Sequence, residues 1–178
     1  MKKIKKKIKI AIDSPAAAGA GTVAKQISKY FNLLYLDTGK IYRILALLKL
    51  SDEKKFTYFL IKKKMNKLKT IELESKKLLS DKVSIKASEI AKNKIIRKLV
   101  HNFQVKCAYN FPKKYNGSCL DGRDITYKIV PDAEFKFFIT ASTKVRAKRR
   151  YKELKKLGKG VSYKEILKSI KKRDNSDY

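Results

Sequence analysis

Two hydrophobic rhythms divide the chain. Four short runs of β-branched, aromatic or contiguous apolar residues read as strands: Ile8 to Ile12, Leu33 to Leu36, Ser118 to Leu120 and Phe135 to Thr140. Three of them run into an aspartate, at Asp13, Asp37 and Asp121. Elsewhere apolar residues recur every three or four positions, the spacing that gathers them on one face of a helix. This predicts helices over Thr22 to Phe31, Gly39 to Leu50, Lys86 to Asn110 (through Ile90, Ile95, Leu99 and Phe103), Thr143 to Leu157 and Ser162 to Arg173. Ser142 and Ser162 stand as N-caps, and Glu165 three positions after Ser162 completes a capping box. The Lys-rich segment from Ser51 to Ser84 reads as a small inserted subdomain of short helices with a hairpin around KLKTIELESKKLLS.

Strands alternating with helices point to an α/β layered fold around a parallel sheet. Ligands of such sheets gather outside the carboxyl ends of the strands, so the three aspartates are expected on one rim. A length of 178 residues fits one domain, and 43% hydrophobic residues exclude a mainly disordered chain. The net charge of +30 implies attraction to polyanions, whether nucleotides, nucleic acid or an anionic membrane. It is spread along the chain and does not choose among them. Two cysteines, Cys107 and Cys119, show no CxxC spacing and fit a reduced compartment. The apolar run after the basic start is cut by Lys9 and Asp13, too early for a signal peptide, and no run of about 18 apolar residues occurs. These features predict a cytoplasmic protein without a membrane span.

The chemistry collects at the strand ends. After the first strand comes DSPAAAGAGT, in which Gly19, Gly21 and Thr22 keep the order of a phosphate-binding loop while Ser14 and Ala20 stand where its first glycine and its lysine belong. Such a loop turns backbone N–H groups around phosphates and aims a helix N-terminus at them. Alone, the stretch also fits a simple small-residue turn. LYLDTGKIYR follows the second strand and puts Tyr42 and Arg43 one to two helical turns beyond its end. LDGRDI follows the third and sets Asp121 and Asp124 around Arg123, a group suited to metal-bound phosphate, or alternatively a solvated turn. The single histidine, His101, falls within an amphipathic helix and reads as a surface or packing residue.

Taken together, SPAAAGAGTVAK, YLDTGKIYR, SEIAKNKIIRKLVHNFQ, VSYKEILKSIKKRD and above all LDGRDITYKIVPDAEFKFFITASTKVRAKRRYKEL resemble the bacterial cytidylate kinase family over nearly all of residues 8 to 178. The resemblance implies a P-loop nucleoside monophosphate kinase: a parallel sheet flanked by helices, with core 1–42 and 111–178, a nucleotide-binding insert near 43–110 and a lid near 145–165. It implies transfer of a phosphoryl group from ATP, with Mg²⁺, to CMP or dCMP in pyrimidine metabolism. ATP would lie on Ser14, Pro15, Ala16, Ala17, Ala18, Gly19, Ala20, Gly21 and Thr22. CMP would meet Thr38, Tyr42, Arg43, Ser88, Arg97, Arg123, Asp124, Arg173 and Asp177. Arg123, Asp121, Arg149 and Arg173 would serve catalysis, with Arg146 and Arg150 on the same basic lid edge. No residue would hold metal directly, Mg²⁺ coming with the nucleotide and touching Asp121. The family is expected to be monomeric.

Four departures accompany the resemblance. Ala20 replaces the lysine, and Ser14 replaces a glycine at an expected cost in a tight turn. Val105 follows Gln104 where arginine is usual. The sequence stops at Tyr178, short of a further lid arginine, strand and helix, which would leave the run at 135–140 as a sticky sheet edge open to self-association. Three readings therefore stand: a kinase in which Lys25 or Lys40 takes over the missing charge, a homologue that binds nucleotide without efficient transfer, and, less favoured, a basic nucleic-acid-binding protein on the same scaffold.

Overall fold

The computed structural model of the chain describes residues 7–156, 158 and 160–177, the side chains of 81, 176 and 177 excepted. Four strands, β1 (Ile8–Asp13), β2 (Leu34–Asp37), β3 (Gly117–Gly122) and β4 (Phe135–Phe138), form one parallel sheet in the order β2-β3-β1-β4. All four lie where the hydrophobic pattern put them. Side chains alternate across the pleat. Ala11, Leu34, Leu36 and Leu120 enter the large core on one face, whereas Ile10, Ile12 and Cys119 enter a smaller one on the other.

Helix α1 (Ala20–Phe31) covers the smaller core through Ala20 and Ala24. The opposite face is covered by α2 (Thr38–Ser51), α3 (Tyr58–Lys67), α4 (Asp81–Ile90) and α5 (Lys94–Tyr109), whose apolar residues build the large core around Ile41, Leu45, Leu78 and Val100. A third cluster, Ala147, Leu154, Ile166 and Ile170, joins α6 (Thr143–Lys156) to α7 (Tyr163–Asp177). The chain leaves β1 toward β2 on one side and β3 toward β4 on the other, so a topological switch point falls between β1 and β3.

Two expectations are corrected. The helix read over Lys86 to Asn110 is two helices, because Asn93 accepts hydrogen bonds from the amides of Ile95 (3.0 Å) and Ile96 (3.1 Å) and so starts α5 afresh. The hairpin expected in KLKTIELESKKLLS is a pair of 3₁₀ turns, Thr70–Glu74 and Lys76–Leu79. Its buried residues, Leu68, Leu73 and Leu78, are five apart, a spacing that no strand face can bury together. The caps read from sequence hold: Ser142 accepts from Val145, and Ser162 and Glu165 form the reciprocal box.

Candidate functional site

The loop between β1 and α1 sits at the switch point. Ser14 N–H continues the ladder to the Gly122 carbonyl at 3.0 Å, and Gly19, at φ 99°, opens α1 with no side-chain cap. The first amides of a helix lacking such a cap form an anion seat, reinforced by the helix dipole. The backbone thus keeps the form that the sequence suggested. Its strain lies elsewhere than expected, however: Ser14 has no left-handed conformation, whereas Ala17 is held at φ 60°.

Around this seat the strand-end aspartates divide their work. Asp37 and Asp121 pair in register across β2 and β3. Asp37 also caps α2, accepting from Lys40 N–H at 3.2 Å. Burial, and next the neighbouring Asp37 charge, push the Asp121 carboxyl up to about 7 against the pull of Lys40 and Lys25. Burial likewise raises Asp37, opposed by Lys40 and Arg43. Asp121 Oδ1 is buried and accepts no hydrogen bond among the described residues, while Oδ2 lies 3.4 Å from where a Cβ on Gly21 would be. Asp13 does not join them. Its carboxylate turns away to accept from the amides of Ile125 (2.8 Å) and Thr126 (3.1 Å) and from the Thr126 hydroxyl, anchoring a π-turn, Ile125–Ile129, that sequence periodicity is too short to reveal.

The arginines converge on the rim from four elements. Arg43 of α2 donates to the Leu78 carbonyl at 2.8 Å and to Ser84 Oγ at 3.3 Å, and Arg173 of α7 reaches the same hydroxyl at 3.4 Å. Arg146 of α6 is 4% exposed, with Nη1 and Nη2 on Asp174 at 2.8 and 2.6 Å and Nη1 also 3.1 Å from the Ala16 carbonyl. These bonds outweigh partial burial and, with the charges of Arg146, Arg123 and Arg173, hold Asp174 below the usual carboxylate range. Arg149 donates from Nη1 to the Ala18 carbonyl at 2.7 Å. The loop, α6, α7 and Arg123 therefore meet near Asp174.

A second group lies on the α5 side of the rim. Arg97 Nη2 is 2.6 Å from Asp124 Oδ2, and Lys128 and the Tyr127 hydroxyl also bond that carboxylate. Burial alone would raise Asp124, but these partners hold it low. Tyr42 packs beside this pair, its phenol raised first by burial. Thr38 is 3% exposed and donates to the Asp121 carbonyl at 2.9 Å, which requires Gly122 opposite, since a Cβ there would fall 1.9 Å from the threonine hydroxyl. Ser88 keeps its hydroxyl on the Ser84 carbonyl of its own helix. The side chain of Asp177 lies outside the described residues.

Three site residues escaped the sequence reading. Asp174 was passed over for Asp177 although it directly follows Arg173; Ser84 offered only its position one turn before Ser88; and Ala17 carried no signal beyond its place in the loop. Lys25 and Lys40, suggested as sources of the missing loop charge, both face Glu74, at 3.8 and 3.6 Å, and both also pull on the Asp121 carboxyl. His101 is half-buried on α5, as read.

Comparison with known proteins bears on this geometry. A family model described as cytidylate kinase matches residues 10–178. A cytidylate kinase of Bartonella tribocorum is 42% identical over 174 residues, covering 94% of this chain and 77% of that protein. Cytidylate kinases of Caldanaerobacter subterraneus subsp. tengcongensis and Clostridium botulinum are 36% and 38% identical, covering 96% of this chain in each case and 79% and 81% of the relatives.

Proposed function

The chain belongs to the cytidylate kinase family, and we propose from that membership that it moves the terminal phosphoryl group of ATP to CMP or dCMP, giving ADP and CDP or dCDP. A phosphate oxygen of CMP attacks the γ-phosphorus in line, the bond from that phosphorus to the β-bridging oxygen breaks, and ADP leaves with the electron pair. This chemistry asks for positioning and for neutralisation of spreading negative charge rather than for a strong base. The observation that carries the reading is the uncapped N-terminus of α1 behind Gly19, with Arg146 and Arg149 of α6 bonded to the carbonyls of its loop.

ATP phosphates lie on residues 14–22 in this proposal. The CMP phosphate lies toward Arg43, Arg123 and Arg173, with Arg97, Asp124, Tyr42, Thr38, Ser88 and Asp177 on the nucleoside side. Asp121 fits Mg²⁺ carried by ATP: its buried, unpartnered Oδ1 is a hard oxygen ligand, available directly or through water. When bound, that ion would offset charge on the phosphates, while Asp121 and Asp37 hold its surroundings. The protein works as one unit of core, insert (43–110) and lid (145–165). Among the described residues no helix is long and apolar enough to cross a membrane.

The test is a coupled assay of ADP release with ATP, Mg²⁺ and each of CMP, dCMP, UMP and AMP. Turnover is expected with CMP and dCMP and at least about tenfold lower kcat/KM with the others, the scale that mispaired polar contacts impose. Absence of turnover with all four, in protein that binds ATP, would reject the catalytic reading.

A further inference from the structure

We propose that the cavity between α3 and α5 is a second nucleotide site, which takes a nucleoside di- or triphosphate as an effector at the end of the sheet opposite the catalytic rim. The cavity opens beside Leu34, where β2 begins, whereas the rim lies at Asp37, where that strand ends. None of the residues proposed for ATP or CMP lines it. Its volume of about 580 Å³ is that of a small-molecule pocket.

The walls grade from apolar to cationic. Leu34, Met65, Leu68 and Cys107 are buried and form the floor. Phe103 and Tyr115, half-buried, add aromatic rings on which a base can stack. The exposed rim carries ammoniums from three elements: Lys62 of α3, Lys106 of α5 and Lys114 of the segment before β3. Among the described residues no carboxylate lines the cavity or pairs with these lysines. Asn66, Asn102 and Asn110 stand between them, and their side-chain amides make no hydrogen bond among the described residues. Packed helices turn apolar stripes to each other, but here α3 and α5 turn mixed ones to a shared space. A fatty acid would use the floor and one lysine. Three ammoniums call for several negative charges, and amides that both donate and accept suit the edge of a base. The cavity is also tied to the rim, because α5 runs from Lys106 and Cys107 back to Arg97, which holds Asp124. The effector role rests on the kinase reading; the binding site does not.

Cys107 in the floor reports occupancy, and Cys119, wholly buried in the sheet, is the control. Labelling by methyl methanethiosulfonate, read by peptide mass spectrometry, is compared with ATP, CTP, inorganic tripolyphosphate and oleate present. At ten times its Kd, ATP or CTP should slow labelling of Cys107 about tenfold and leave Cys119 unchanged. K106Q, which alters an exposed side chain, should weaken the protecting nucleotide about tenfold, the scale of one charge-assisted hydrogen bond. Equal protection by tripolyphosphate, protection by oleate alone, protection indifferent to K106Q, or no protection would each overturn the site. Should Cys107 resist the reagent in free protein, equilibrium dialysis decides: one fewer nucleotide bound per chain when K62Q, K106Q and K114Q are combined supports the site, and equal stoichiometry rejects it. CTP should also shift the calorimetric Kd of CMP at least about fivefold in wild-type protein and not in K106Q, as coupled sites require. An unchanged Kd rejects the effector role. Protection of Cys107 in a protein that phosphorylates no nucleotide would refute the kinase reading and support the site.

Discussion

Ala17 and Asp121 show how single positions carry the cost of this site. Ala17 is held at φ 60°, a conformation that opposes an L side chain by about 1–2 kcal/mol, part of which glycine's greater unfolded freedom would return. A17G is therefore expected to raise the thermal midpoint by about 2–4 °C without weakening ATP binding, as scanning calorimetry and titration would show. Composition flagged Ser14 as the costly replacement, because residue type can be read from the chain and dihedral angles cannot. Asp121 carries an electrostatic cost. The unfolded carboxyl releases its proton near pH 4, whereas the folded one holds it to about 7. The folded state thus binds more protons in that window, and stability falls as pH rises through it. Urea unfolding should give wild-type protein a lower stability at pH 8 than at pH 5, and D121N should lose at least about 1 kcal/mol less across the same interval. Equal pH slopes would mean that the paired carboxylates are not what sets the dependence.

Among the elements, those that bury a continuous apolar face were readable and those set by one side chain were not. Strands β1, β2 and β3 and helices α1, α2, α6 and α7 announce themselves because each buries such a stripe, whereas β4 is legible only through its aromatic run. The break before α5 does not, since apolar spacing continues across it through Ile90, Ile95 and Leu99. Asn93 alone makes the break, by capping two amides. N93A should cost about 1 kcal/mol in urea unfolding. It should also disturb the Arg97–Asp124 pair, because Arg97 lies in the first turn that Asn93 organises. A rise in KM for CMP larger than that for ATP would report this displacement, whereas a pure stability loss with both constants unchanged would separate the cap from the site. At the sheet margin, β4 exposes Phe135, Phe137 and Phe138.

The molecule as a whole is two packed bodies joined by polar ties near the phosphate seat. The sheet with α1 to α5 holds two of the three apolar clusters, and α6 with α7 holds the third. Arg146 is the principal tie: almost wholly buried, it takes Asp174 from α7 and gives a hydrogen bond to the Ala16 carbonyl of the loop. Periodicity forecast both helices, but a link between residues 16, 146 and 174 spans three distant segments and leaves no local signature. Its consequence is that the position of α6 and α7 and the shape of the loop are coupled. D174N removes the carboxylate charge that faces the buried guanidinium, a loss worth roughly 3 kcal/mol when one partner of such a pair is taken away. Hydrogen exchange should then quicken in α6 and α7 and also in residues 14–22, while amides of β1 and β3 keep their protection. Quickening confined to the two helices, with the loop unchanged, would show that Arg146 holds α7 but does not transmit its position to the phosphates.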